Sequence, residues 1–224
     1  MYWNILDENR YTLLKKITDT LILPNYYMIG GTALSLQLGL RESFDFDFCV
    51  SVPFNNEVII EELAKMGEIE IQQNQKGTCD LILNGVQISF FYYPNPLIDN
   101  VIKVEEMPNL KMASIIDIAI MKIVAIGGRG SKKDFFDLYY IIQKCHISIS
   151  ELAEGLIRKC GNHINYVNII MGLSYFEDAE EEILPKTYVE CDWSKIKEFY
   201  LRIQPEFEKE LENLRYLIFL DVDL

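Results

Sequence analysis

The chain has 224 residues, 50% of them hydrophobic, enough to bury a sizeable core and too many for a disordered chain. Its 34 Asp and Glu outnumber its 21 Lys and Arg, for a net charge of −13, which excludes a generally basic protein that coats nucleic acid. Asp7 and Glu8 stand where a secretory signal would carry basic and apolar residues, and apolar runs such as Ile118-Ala119-Ile120-Met121 fall far short of the roughly 20 residues a membrane helix needs.

Residues 7–23 place Leu13, Leu14, Ile17 and Leu21 at three- and four-residue spacing, which predicts an amphipathic helix stopped by Pro24. Residues 26–29 read as a short strand running into Gly30-Gly31, and residues 32–38 as a compact helix. Residues 44–50 alternate aromatic and acid, the period of a strand. Residues 55–66 form a helix with Val58, Ile59, Leu63 and Met66 on its buried face. Residues 80–83 and 86–91 flank Asn84-Gly85 and predict a hairpin, with Pro94 and Pro96 closing that sheet. From about Met112 the pattern is helical, with segments at 112–126, 132–143, 149–160, 162–172 and 193–219. The change of class near residue 105 divides the chain into an α/β domain at 1–105 and a helical domain at 106–224, an α+β fold overall.

Five cysteines (Cys49, Cys79, Cys145, Cys160, Cys191), widely spaced and without a CxxC, read as reduced thiols of a cytoplasmic protein. With His146 and His163 the only histidines, a structural zinc site is not expected.

The chemistry points to the first half. Asp45 and Asp47 sit two apart on a strand and so share a face, opposite Phe44, Phe46 and Phe48. Two carboxylates about 6 Å apart repel by roughly 3 kcal/mol at an effective dielectric of 20. A divalent magnesium ion is the natural offset for oxygen-only ligands. Gly30-Gly31-Thr32, with Asp45 thirteen positions after Thr32, opens a helix whose free N–H groups suit a phosphate, and glycine lets the backbone approach it. Alone, a Gly pair is usually a turn and an Asp-x-Asp a solvated strand edge. In this order, across a short helix, the two are the equipment for phosphoryl or nucleotidyl transfer.

The run from Ile29 to Phe48, IGGTALSLQLGLRESFDFDF, resembles the first motif of the AbiEii/AbiGii-type nucleotidyltransferases. These are bacterial proteins of the DNA polymerase β-like superfamily, several of them toxins of phage-defence toxin–antitoxin pairs. The run from Met121 to Tyr140, MKIVAIGGRGSKKDFFDLYY, is similar to the second signature of that family. The resemblance spans about residues 25 to 145. It implies a nucleotidyltransferase-like mixed sheet with helices, followed by a helical C-terminal half that completes the cleft. It also implies that Gly30, Gly31 and Thr32 hold an NTP, that Asp45 and Asp47 hold magnesium, that Lys122 meets phosphate oxygens, and that Asp134 is the required acid of the Lys-Asp-Phe run. The family's usual histidine before the arginine is Leu40 here, and the position where the superfamily often has a third carboxylate is Ser89, with Asp80 across the hairpin the nearest substitute.

The second motif has its own physical reading. Gly127-Gly128 ends a helix and leaves Arg129 in a loop beside the next helix. Asp134 and Asp137 share a helix face, where the plain alternative to catalysis is complementing the helix dipole at a solvated surface. Phe135, Phe136, Leu138, Tyr139 and Tyr140 read as core. Residues 111–133 carry Lys111, Lys122, Arg129, Lys132 and Lys133 against Asp117 alone. That basic island suits polyphosphate or an RNA backbone, with Arg129 joining Lys122 on the nucleotide and Arg129, Lys132 and Lys133 on the acceptor; otherwise it is a solvated helix end. The acidic run 177–182 reads as solvated surface, with a basic partner as the minor alternative.

These expectations converge on a magnesium-dependent transfer of NMP from an NTP to an RNA, including tRNA, or to a protein, by the toxin of a toxin–antitoxin pair with a cognate antitoxin. The alternative is a nucleotide- or antitoxin-binding module of the same fold without turnover, which Ser89 keeps open.

Overall fold

The computed structural model describes residues 1–20 and 25–221, and side chains through residue 215. Leu21 and Pro24, assigned by spacing to the end of the first helix, lie outside the described residues. The chain divides into two compact units, Met1–Ser114 and Ile115–Leu224.

The first unit is built on a seven-stranded mixed sheet. Its strands are β1 (Tyr27–Ile29), β2 (Phe46–Val50), β3 (Ile69–Gln75), β4 (Thr78–Leu83), β5 (Val86–Tyr92), β6 (Ile102–Val104) and β7 (Met107–Met112), in the order β3-β4-β5-β2-β1-β7-β6. Its helices are α1 (Glu8–Thr18), α2 (Gly30–Leu38) and α3 (Asn56–Ala64), preceded by a short 3-10 turn at Trp3–Ile5. Asp7 caps α1 by accepting from the Arg10 N–H, and Asn55 caps α3 by accepting from the Glu57 N–H. The predicted hairpin forms between β4 and β5, with Asn84 and Gly85 both at positive φ (51° and 79°), the geometry a two-residue turn requires.

The central strand β2 pairs antiparallel with β1 and parallel with β5. Phe46 and Phe48 are buried on one face, and Phe48 stacks on Phe90 of β5 at 5.2 Å. Phe44 lies ahead of the strand and is exposed, with the Arg10 guanidinium 4.5 Å over its ring. Three strands escaped the sequence reading. β3 presents mostly exposed or half-exposed residues and has no clean alternation, and β6 and β7 extend the sheet beyond Pro94 and Pro96, which therefore do not close it. The sheet consequently runs past residue 105 to Met112, and the division of the chain falls between Ser114 and Ile115.

The second unit is helical: α4 (Ile115–Gly128), α5 (Lys132–Cys145), α6 (Ile149–Cys160), α7 (Tyr166–Gly172), the short α8 (Glu177–Glu180) and the long α9 (Trp193–Asp221). A capping box between Ser148 and Glu151 starts α6. Phe135, Phe136 and Leu138 are in the core as predicted, and the fully buried Tyr200 hydroxyl donates to the Phe135 carbonyl at 2.8 Å. Among the described residues, no helix is long and apolar enough to cross a membrane.

Candidate functional site

Strand β1 delivers the chain to Gly30, whose φ of +75° is a backbone state that side chains rarely adopt. A Cβ at Gly30 would lie 2.5 Å from Asp47 Oδ2, so glycine there seats the turn directly against the second acid of the Asp-x-Asp pair. A Cβ at Gly31 would lie 2.7 Å from Ser43 Oγ and 2.8 Å from an Arg41 guanidinium nitrogen. The start of α2 is thus ringed by a carboxylate, a hydroxyl and a guanidinium. Arg41 is 3% exposed, and its Nη1 donates to the Glu42 carbonyl at 2.9 Å. The sequence reading did not assign Arg41 and Ser43. The available signal was a cation and a hydroxyl inside the loop that joins the glycine turn to the acids.

Thr32 is buried, and its hydroxyl donates to the Asp45 carbonyl at 2.6 Å, which pins the first turn of α2 to the approach of β2. Asp45 sits just ahead of β2 and is exposed, while Asp47 lies within the strand and is half-buried. In the sheet, Asp47 is the register partner of Ser89, and Ser89 is the register partner of Asp80. Ser89 is 3% exposed. Asp80 Oδ1 is buried without a hydrogen-bond partner. The neighbouring Cys79 thiol is pushed up to about 11 by burial, then by Asp80 and Glu57, and is no nucleophile at neutral pH.

The residues present fit a hydrated divalent cation. The donors are oxygens, and the missing Cβ of Gly30 lets the turn approach Asp47 Oδ2 more closely than a side chain would allow. Among the described residues, no group of three or more His, Cys, Asp and Glu side chains could hold a metal ion. Magnesium suits such a place because it is commonly held by one or two carboxylates, with water and substrate phosphates completing its shell.

The second unit carries a different arrangement. Lys122 is 6% exposed, and its Nζ lies 2.9 Å from Asp134 Oδ1 and 2.6 Å from Asp137 Oδ2, both carboxylates being fully buried. Arg129 forks onto Asp134, its Nε donating to Oδ2 at 2.8 Å and its Nη2 to Oδ1 at 3.1 Å, and the Ser131 hydroxyl donates to Oδ2 at 3.1 Å. Burial by itself would raise the Asp134 carboxyl, but Lys122 and Arg129 outweigh it and hold the group well below the usual carboxylate range. The reading of Asp134 and Asp137 as solvated is therefore overturned: the face they share turns into the bundle, where cations neutralise them.

Arg129 lies in the turn between α4 and α5, as the glycines predicted, and its side chain is 61% exposed despite its fork. It lines two pockets. One, of about 420 Å³, is walled by residues 126–130 together with Asn168, Met171, Tyr175 and Asp178. The other, of about 400 Å³, is walled by Ser131, Lys133, Glu182, Ile183 and Pro185. Lys132 is turned toward the acidic run instead. Its Nζ donates to the Glu180 and Glu182 carbonyls at 2.9 and 2.6 Å and lies 5.2 Å over the Trp193 ring. Glu180 also takes the Lys197 ammonium and the Trp193 N–H, so the run at 177–182 finds its basic partners within the chain. A second buried pair, Lys159 with Asp117 at 2.6 Å, gave no signal in the sequence because 42 positions separate its members.

Comparison with known proteins agrees with this architecture. The chain is 36% identical over 210 residues to an uncharacterized protein of Aquifex aeolicus (strain VF5), covering 93% of this chain and 98% of that one. The crystal structure of a candidate nucleotidyltransferase from H. pylori superposes with a TM-score of 0.54 at 20% identity, over 93% of this chain and 99% of that chain, and so shares the fold. The family profile described as nucleotidyl transferase AbiEii toxin, type IV TA system, matches residues 86–217, which include Ser89, Lys122, Arg129 and Asp134. The chain belongs to the AbiEii nucleotidyl transferase toxin family.

Proposed function

We propose that this nucleotidyltransferase-family chain moves an NMP group from an NTP to a hydroxyl of RNA, tRNA included, or of a protein, and that it is the toxin of a toxin–antitoxin pair held in check by a cognate antitoxin. The observation that carries this reading is the contact between the glycine turn and the acids: Gly30, at positive φ, leaves only 2.5 Å between its missing Cβ and Asp47 Oδ2. A phosphate-holding backbone turn and a cation-holding carboxylate are then neighbours, as nucleotidyl transfer requires. The type IV toxin description of the family profile supports the toxin role and the antitoxin.

In this reading Asp45 and Asp47 hold magnesium, and the cation supplies neutralisation of the charge that develops on the phosphoryl oxygens. The N–H groups at Gly30, Gly31 and Thr32 hold the triphosphate, and Arg41 and Ser43, which border Gly31, add a cation and a hydroxyl donor at that turn. The acceptor hydroxyl, giving up its proton to solvent water, attacks the α-phosphorus, the bond from the α-phosphorus to the bridging oxygen breaks, and pyrophosphate leaves with the electron pair. Lys122 and Asp134 serve the reaction by holding Arg129, whose exposed guanidinium takes phosphate oxygens of the acceptor. Lys133 joins it in acceptor binding, and Lys132 contributes little because its ammonium is already engaged.

The test is incubation of the purified chain with each α-labelled NTP, magnesium, and either total RNA or lysate protein. Label should enter one acceptor class with release of pyrophosphate and should disappear with Asp47→Asn. Nucleotide-dependent thermal stabilisation without labelling would instead identify a binding module.

A further inference from the structure

We infer that the cavity beside Gly128 in the helical unit takes an unpaired nucleotide of an RNA strand, with its base in the cavity and its phosphate on Arg129. The inference rests on the transfer reading proposed above and narrows its acceptor to RNA.

The first observation is a glycine that neither packing nor backbone conformation requires. Three glycines stand around the end of α4. A Cβ at Gly127 would lie 2.7 Å from Ile169 Cγ1 and 2.9 Å from Ile169 Cα, so glycine there admits α7. Gly130 has a φ of +56°, the left-handed state in which helices commonly end. Gly128 meets neither condition: it belongs to α4, its φ is not positive, and a Cβ on it would find nothing within 4 Å. Glycine is a poorer helix former than alanine, so what it provides at this position is space. That space belongs to the cavity of about 420 Å³, a size within the roughly 300–1,000 Å³ of pockets for small organic ligands.

The second observation is the lining. Met171, near the end of α7, and Tyr175, just beyond it, are 65% and 48% exposed, large apolar groups that the fold itself leaves uncovered. The Tyr175 hydroxyl donates to Glu177 Oε2 at 2.9 Å, which tethers the ring. A glycine backbone, a thioether and an aromatic ring together suit a flat heterocycle. Asn168 and Asp178 add an amide and a carboxylate, groups that hydrogen-bond the edge of a base or a ribose hydroxyl.

The third observation is that Arg129 lines both this cavity and the neighbouring one of about 400 Å³, where Ser131 and Lys133 stand. Its fork onto the buried Asp134 holds the guanidinium at that boundary. A phosphate on Arg129 can therefore join a nucleotide in one cavity to the next nucleotide in the other. A free mononucleotide would use one cavity alone, and a base within a duplex is already stacked and paired, so the arrangement favours a single strand.

The experiment measures binding of a short fluorescein-labelled single-stranded RNA to the full chain by fluorescence anisotropy, beside the same sequence as a duplex and with nucleoside monophosphates as competitors. Tyr175→Ala should weaken single-strand binding by about 5- to 150-fold, the worth of one stacked base, and Tyr175→Phe should retain it. Gly128→Leu fills the cavity and should weaken binding comparably, with a melting temperature equal to or above that of the wild type. Tyr175→Ala changes an exposed side chain and decides the question by itself should Gly128→Leu melt below the wild type. Duplex should bind more weakly than single strand, and monophosphates should compete only in large excess. Wild-type affinity in both Gly128→Leu and Tyr175→Ala, with RNA still labelled by the wild type, would overturn the pocket and leave transfer to RNA standing. Labelling of protein alone, with no single-strand binding by the wild type, would overturn the RNA acceptor and this inference with it. Duplex affinity equal to that of the single strand, or competition by monophosphates at the concentration of the strand, would overturn the unpaired strand as occupant.

Discussion

In the helical unit, Asp117, Asp134 and Asp137 are fully buried, and each has a lysine ammonium within 2.9 Å. In the sheet unit, Asp45 is exposed, Asp47 is half-buried against a glycine turn, and Asp80 keeps one buried oxygen without a partner. The same side chain thus serves two purposes. A buried carboxylate with a cation already on it is neutral as a pair and orders the bundle, whereas an exposed carboxylate such as Asp45 retains its attraction for a cation from solution. The helical acids shape the scaffold that presents Arg129, whereas in the proposed reading Asp45 and Asp47 serve a ligand.

The largest effect that separates the two sets is on stability. Lys122→Ala leaves Asp134 and Asp137 without their shared ammonium and should cost about 3–5 kcal/mol, read from the urea midpoint. Asp45→Asn should stay within about 0.5 kcal/mol of wild type in the same assay, because no buried charge loses a partner. A Lys122→Ala protein as stable as Asp45→Asn would erase the distinction between the units.

Activity should show the reverse order. Asp45→Asn and Asp47→Asn should each lower acceptor labelling by about 100-fold or more, roughly 3 kcal/mol of transition-state stabilisation, with the melting curve of Asp45→Asn nearly unchanged. Full labelling by the double variant would take the metal away from these residues.

Gly30→Ala tests the turn between the two behaviours. The positive φ and the collision with Asp47 Oδ2 together should cost about 1–3 kcal/mol and weaken NTP binding as well, measured by titration with a fluorescent nucleotide.

A pH titration sharpens the contrast from the helical side. The folded-state carboxyl of Asp134 titrates below its ordinary value of 3.8. Its contribution to stability is therefore complete above that value and is lost as pH falls through the lower folded-state value. The urea midpoint of the wild type should decline below about pH 4, and Asp134→Asn, starting from a lower midpoint, should decline less steeply.

The smallest effect concerns salt. If RNA is the acceptor, replacing Arg129 and Lys133 with Ala should flatten the log–log salt dependence of RNA binding by about 1.4–1.8, whereas Lys132→Ala should barely change it. Equal slopes for Lys132→Ala and Lys133→Ala would show that the contacts of Lys132 with Glu180 and Glu182 do not withhold it from RNA.

Much of the fold was legible because its signals are local. The Asn84-Gly85 turn, the aromatic face of β2 and the periodic helices from α4 to α6 each depend on residues a few positions apart, and all formed where periodicity and turn chemistry placed them. β3, β6 and β7 were missed because edge and near-edge strands are recognised by the neighbours they bond to, and their own alternation is weak. Leaving them out set the change of class near residue 105, ahead of β7.

At the candidate site, the order of residues along the chain already shows a glycine turn ahead of an Asp-x-Asp pair, and a lysine, an arginine and two acids within the second motif. Adjacency along the chain fixes which groups share a strand or helix face. Which of those charges are consumed depends on contacts between distant segments. Lys122 and Asp134 are twelve positions apart, Lys159 and Asp117 are 42 apart, and Asp80 meets the row of Asp47 through Ser89 on a third strand. The energy of a charge depends on its burial and on the sign of what lies within a few ångströms. Those quantities are set by packing between segments far apart in the chain, so the same aspartate reads alike in every line of sequence until the fold gives it a neighbour.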